Sequence, residues 1–183
     1  MTSHAVPSTG SGSRSRSALL LAALACFSLV PACTDSATGP GVNPVLPLSE
    51  VEFAPELGID TTEFTPRSSL WIRDNVVGDS AAPAAAANRV VHLYYEGWTS
   101  GGFRFDGFVE EDGDPRAFLP AARGPILGLR EGVVGMRPGG RRTVLVPPAL
   151  GFGAVALEGI PPNSWLVLDL RVVEVEGDPP EGG

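Results

Sequence analysis

The side chains able to relay a proton, attack a carbonyl or hold a metal are few and scattered. Of the two histidines, His4 lies in a leader-like segment, which leaves His92 as the one imidazole for triad chemistry. In "RVVHLYYEGW" His92 alternates out of phase with Val91, Leu93 and Tyr95, so it faces solvent. "EEDGDP" (110–115) is the densest acidic run and reads as a solvated loop rather than a cation site. No Walker-type loop occurs, and the glycines of "GFGAVALEG" do not follow a strand and open a helix. Asp106 is the informative acid. It follows two strand aromatics in "FRFD", where a carboxylate is costly to bury unless paired. The remaining constellation is apolar: Tyr95, Phe105, Ile126, Leu129, Phe152, Ile160 and Leu168, with Asp106 among them. Such a set holds no nucleophile and no redox group, and no metal or cofactor is expected.

The elements that must position these residues can be read from pattern. "SLWIRDNVVGD" reads as a strand running into a turn, and "RVVHLYYEGW" as a strong strand with Val91, Leu93 and Tyr95 on one face. "TSGG" is a turn, and "FRFDGF" a further strand that loosens into the acidic loop "VEEDGDP". Ile126, Leu129, Val133 and Met136 are spaced by three or four, which predicts one short helix weakened by Gly128 and Gly132. After the turn "RPGG", "RRTVLVPP" is a strand whose Thr143 to Val146 alternate poorly, as in a strand buried on both faces. The final strand puts Leu166, Leu168, Leu170 and Val172 on one face and Asp169 and Arg171 on the other. Antiparallel strands with one short helix give an α+β domain, the helix covering the apolar face of the twisted sheet.

Residues 1–33 read as a signal peptide. Arg14 and Arg16 precede an apolar stretch of about thirteen residues, short of the roughly twenty needed to span a bilayer. It ends in Val30-Pro31-Ala32-Cys33, which resembles a bacterial lipobox, with Pro31 a departure and Cys26 a weaker competitor. The expectation is lipidation at Cys33, and so a location in the cell envelope, anchored to a membrane. Residues 34–66 open with small polar residues, Gly and Pro, which predicts a flexible tether. Their later apolar residues (Val51, Phe53, Leu57, Phe64) lack a sustained period and do not decide between a short helix and packing on the domain. The tail 177–183 is expected to be disordered.

Composition narrows the partners. The formal net charge is −8 and all thirteen basic residues are arginine. No basic stripe with interleaved aromatics occurs, which argues against nucleic acid. Cys26 and Cys33 are the only cysteines, so the domain holds no disulfide and relies on its core.

Over residues 67–176 the motifs fall in an ordered set: Tyr-x-Gly at Tyr95, Phe-Asp at Phe105, Ile-x-Gly-x-x-Glu-Gly at Ile126, Gly-Met-x-x-Gly at Gly135, and Ile-Pro-Pro at Ile160. With "LWIRDNVVGD" before them and an alternating strand after, this set resembles the FKBP-type peptidyl-prolyl cis–trans isomerases. The resemblance implies a five- to six-stranded antiparallel sheet wrapped around one short helix, with an apolar bowl between them. It further implies acceleration of X–Pro rotation in exported proteins, hence proline-containing polypeptide clients, with macrolide ligands bound weakly.

By the same resemblance, Tyr95 and Phe105 line the bowl and Asp106 lies beside it. Ile126 and Leu129 form the floor, and Phe152 and Leu168 close the sides. Ile160, before Pro161-Pro162, offers its backbone N–H to the substrate carbonyl. Several positions depart from the family: Leu129 replaces a tryptophan, Phe152 a tyrosine, Leu168 an aromatic residue, and Arg116 a phenylalanine of the wall. The departures keep a second function class open, a non-catalytic chaperone or peptide-binding module anchored to the membrane.

Overall fold

The computed structural model describes residues 43–177 apart from Gly124. Cys26, Cys33 and the tail from 178 onward therefore lie outside the described residues. Seven strands and one helix follow in order: β1 (Thr65–Arg67), β2 (Leu70–Val76), β3 (Val91–Thr99), β4 (Arg104–Phe108), β5 (Arg116–Phe118), α1 (Leu127–Val133), β6 (Arg141–Val146) and β7 (Leu166–Val175). All pairings are antiparallel, in the order β1-β2-β6-β7-β3-β4, with β5 also on β3. This is the expected α+β architecture, with β1 and β5 raising the strand count to seven. Each is three residues long, too short to show a period in sequence.

β4 and β5 share one edge of β3. Tyr95 pairs with Phe108 and Leu93 with Arg116, so while β3 advances through Tyr94 alone the partner chain loops out over 109–115. That excursion is the acidic loop read from sequence. Within it Asp112 accepts a 2.9 Å hydrogen bond from the Val109 N–H, which closes a 3-10 turn over Glu110–Asp112.

The front face of the sheet carries the main core. Val91, Leu93, Val144, Val146, Leu166, Leu170 and Val172 are buried there beneath Leu129, Val133 and Met136. Both glycines of α1 serve this contact. A Cβ on Gly128 would lie 2.3 Å from a Val146 γ-carbon, and one on Gly132 would lie 3.1 Å from Val144. The residues that weaken the helix by propensity are those that let it approach the sheet. The helix end is tied down by a buried cation. Arg142, 4 % exposed, donates to the carbonyls of Gly132 (2.9 Å) and Val134 (3.1 Å) and pairs with Asp74 (2.6 Å). Two carbonyls left over at the end of the helix thus find donors.

Of the extension 34–66, residues 34–42 lie outside the described residues, and the later part, for which the sequence left a short helix or packing open, packs on the domain. Short 3-10 turns at Leu48–Glu50, Pro55–Leu57 and Thr61–Glu63 carry Leu48, Val51, Phe53, Leu57 and Ile59 against a second core of Phe64, Leu145, Trp165 and Val167 on the back of the sheet. The Trp165 indole N–H donates to the Leu46 carbonyl at 2.9 Å, and Ala54 N–H to Ser100 at 2.8 Å. This cover explains why β6 does not alternate: Val144 and Val146 face the front core and Leu145 the back one.

Candidate functional site

A cavity of about 850 Å³ opens between the sheet, the start of α1 and the loop before β7. All eight residues singled out in the sequence line it: Tyr95, Phe105, Asp106, Ile126, Leu129, Phe152, Ile160 and Leu168. Leu129 (8 % exposed), Ile160 and Leu168 belong to the main core, so the floor of the bowl is the top of that core. Phe105 and Phe152 meet edge to face, ring centroids 5.4 Å apart, a geometry favoured by the aromatic quadrupole. Gly97 makes room for this wall: a Cβ there would lie 2.6 Å from the Phe105 ring and 3.2 Å from Leu168.

Asp106 is exposed at the rim and not buried among the aromatics, and it is hydrogen-bonded there. It accepts the Tyr95 hydroxyl at 3.0 Å and the Gly107 N–H at 2.8 Å. Burial first, and the hydrogen bond to Asp106 second, push the Tyr95 hydroxyl above its ordinary value of 10.0. Tyr95 therefore remains a protonated donor through neutral and mildly alkaline pH.

Ile160 lines the bowl, but its backbone N–H has a partner within the chain. Its N–H donates to the Leu157 carbonyl at 3.0 Å, and its own carbonyl accepts from Leu157 N–H at 3.0 Å. Residues 157–160 form a tight turn with Gly159 at φ +74°, a backbone state that glycine adopts freely. The donor assigned to Ile160 is thus consumed inside the turn. The Pro161-Pro162 pair leads out of it into a braced corner. There Ser164 Oγ donates to the Pro161 carbonyl (2.7 Å), Asn163 N–H to Gly153 (2.7 Å), and the Asn163 side-chain amide to Asn43 (2.6 Å). The prolines stiffen the loop and set the Ile160 side chain against the bowl. A different amide is open: the Ile126 N–H, just ahead of α1, has no hydrogen-bond partner among the described residues.

Pattern reading missed several lining residues. Phe103 is 46 % exposed and its ring lies over Gly159, where a Cβ would come within 2.1 Å of it. Its spacing of two from Phe105 was the available signal. Phe118 enters on β5, which the sequence did not announce, and Leu157 and Glu158 enter on the turn. Arg116 also lines the cavity, its guanidinium 4.4 Å from the Phe108 ring centroid. No group of three or more His, Cys, Asp or Glu side chains able to hold a metal occurs among the described residues.

Comparison with known proteins agrees with this geometry. The family model described as FKBP-type peptidyl-prolyl cis-trans isomerase matches residues 82–173. The isomerase FkpA of Escherichia coli K12 is 32 % identical over 128 residues, covering 70 % of this chain and 44 % of FkpA. FK506-binding protein 4 of Aspergillus fumigatus is 37 % identical over 94 residues, covering 51 % of this chain and 19 % of that protein. The chain thus spans less than half the length of each of these relatives. Among solved structures, E. coli FkpA superposes with a TM-score of 0.56 at 29 % identity, over 68 % of this chain and 56 % of that one. AtFKBP13 superposes with a TM-score of 0.54 at 28 % identity, over 62 % and 99 %. With the motifs in order, the sheet-and-helix bowl built from them and the matching family model, the chain belongs to the FKBP-type peptidyl-prolyl cis–trans isomerase family.

Proposed function

We propose that the protein accelerates rotation about X–Pro bonds by holding the twisted amide in this bowl. An X–Pro bond interconverts in about tens to hundreds of seconds, because partial double-bond character raises a barrier of about 18–20 kcal/mol. The twisted amide has lost resonance and carries less charge separation than the planar one. An apolar cavity therefore favours the transition state over the ground state, which is the requirement for catalysis. The observation that carries the proposal is the cavity itself: Phe105, Phe152, Leu129, Ile160 and Leu168 for the ring, with the Tyr95–Asp106 pair at one side. No proton transfer to solvent is needed, consistent with a wall that contains no histidine or cysteine. The unpartnered Ile126 N–H is the amide available to a substrate carbonyl. A protein whose slow refolding phase is limited by proline isomerisation tests this. The phase should quicken with catalytic amounts of the protein, and an unchanged phase contradicts the proposal.

Clients in this reading are exported proteins, met at a membrane to which the chain is attached through Cys33. The support is the apolar run closing in Val30-Pro31-Ala32-Cys33. No helix of the described residues is long and apolar enough to cross a membrane. Wild-type protein should sediment with membranes and Cys33→Ala should release it; equal partitioning removes the anchor from the account. Macrolides should bind weakly, because Leu129 offers the floor less area than an aromatic ring. At about 25 cal/mol per Å² the deficit is about 1–2 kcal/mol.

A further inference from the structure

Arg116 is the cation of the bowl's wall. The neighbouring arginines are committed: Arg104 to Glu96 (2.9 Å), Arg141 to Asp169 (3.0 Å) and Arg171 to Glu110 (2.7 Å). Arg116 has no carboxylate partner among the described residues and lies over the face of Phe108, 4.4 Å from its centroid. β5 fixes where it stands. Directly opposed residues of an antiparallel pair share a face, so Arg116, opposite Leu93, stands on the front side with the bowl. Neither acid of the lining forms an ion pair with it. Asp106 is held by Tyr95 and Gly107, and Glu158 belongs to the 157–160 turn. The bowl is thus asymmetric, with a guanidinium outside any ion pair on β5 and carboxylates on β4 and on the turn.

We propose that Arg116 is a specificity-determining residue that favours clients carrying a carboxylate next to the target proline. This rests on the isomerase reading of the same cavity. A proline ring seated against Leu129 and Phe105 leaves its neighbouring residues to reach the rim, and one of them passes β5. Guanidinium is suited to a carboxylate there, since its fork of donors matches both oxygens. The selection is local, because the protein as a whole carries a net charge of −8 and repels acidic chains at long range.

The test is kcat/KM by NMR exchange on Ala-Glu-Pro-Ala, Ala-Leu-Pro-Ala and Ala-Lys-Pro-Ala, and on the set with these residues after the proline. The wild-type protein should prefer Glu over Lys in one of the two sets by about fivefold, as expected of a partly screened ion pair. That ratio should shrink between about 50 mM and about 500 mM salt. It should collapse in Arg116→Gln, persist in Arg116→Lys and invert in Arg116→Glu. Each ratio is internal to one variant, so a general loss of activity does not disturb it. A Glu-to-Lys ratio near one in both sets, or one unchanged in Arg116→Gln, overturns the inference. If the wild-type protein accelerates no peptide, the isomerase reading falls, and the charge preference is read from peptide affinities by chemical-shift titration with the same outcomes.

Discussion

Gly128→Ala isolates the contact that holds the floor of the bowl in place. By helix propensity the change should stabilise α1 by about 1 kcal/mol. The packing argues the reverse. The new methyl would sit 2.3 and 2.6 Å from the two γ-carbons of Val146 and 3.0 Å from its Cβ. Val146 is 0 % exposed, and a β-branched side chain cannot turn aside within a filled core. Overpacking costs about 1–3 kcal/mol, and three contacts at or below 3.0 Å place this site at the upper end, for a net loss of about 2 kcal/mol. Gly132→Ala is the control. Its nearest contacts are 3.1 and 3.5 Å, so the small overpacking cost and the gain in propensity nearly cancel. Urea denaturation of the three proteins, followed by tryptophan fluorescence, should give a lower midpoint for Gly128→Ala and a near-unchanged one for Gly132→Ala. Isomerase activity should fall with the first, because Leu129 and Ile126 move with the helix. A Gly128→Ala protein as stable as wild type, or losses equal at the two sites, would refute the reasoning.

Three further outcomes follow from other contacts. Arg142→Met leaves the Gly132 and Val134 carbonyls without their donor, while Asp74 stays exposed to solvent, which should cost about 1–3 kcal/mol in denaturant titration. A loss under about 1 kcal/mol would deny Arg142 its role at the helix end. Leu145→Ala opens the back core under Trp165 and should cost about 2–5 kcal/mol, while leaving kcat/KM per folded molecule unchanged below the melting transition. Tyr95, with its folded-state pKa raised, contributes stability that is complete below about pH 10 and lost as pH rises through the folded value. Ultraviolet titration should therefore show Tyr95 ionising above 10.0, read as the difference between wild type and Tyr95→Phe because Tyr94 is raised as well; a difference curve that titrates at or below 10.0 contradicts its shielding.

Much of the fold was legible because its central strands carry long patterns. β3 runs nine residues and β7 ten, with Val91 and Leu93 on one and Leu166, Leu168, Leu170 and Val172 on the other turned to the main core. β6 was legible in a less direct way: its failure to alternate signalled burial on both faces, without revealing that residues 48–64 supply the second cover. That cover was hidden because its apolar residues sit on successive 3-10 turns, which impose no single period. The eight residues named from the motifs all line one cavity. The role given to Ile160 N–H was not legible, since whether an amide is free depends on the local turn. The Gly159 turn closes that donor onto Leu157. Phe118 and the front-facing placement of Arg116 depend on β5, whose three residues owe their conformation to pairing with β3.

The most direct measurement is NMR exchange between the cis and trans forms of Ala-Leu-Pro-Ala, with catalytic amounts of the protein and of Phe152→Ala. The account predicts accelerated exchange with the wild-type protein, reduced about tenfold by Phe152→Ala, which removes the ring that meets Phe105 at 5.4 Å and opens the bowl to water. Exchange that stays at the uncatalysed rate, while resonances around the bowl shift on peptide addition, would contradict catalysis and leave a peptide-binding module.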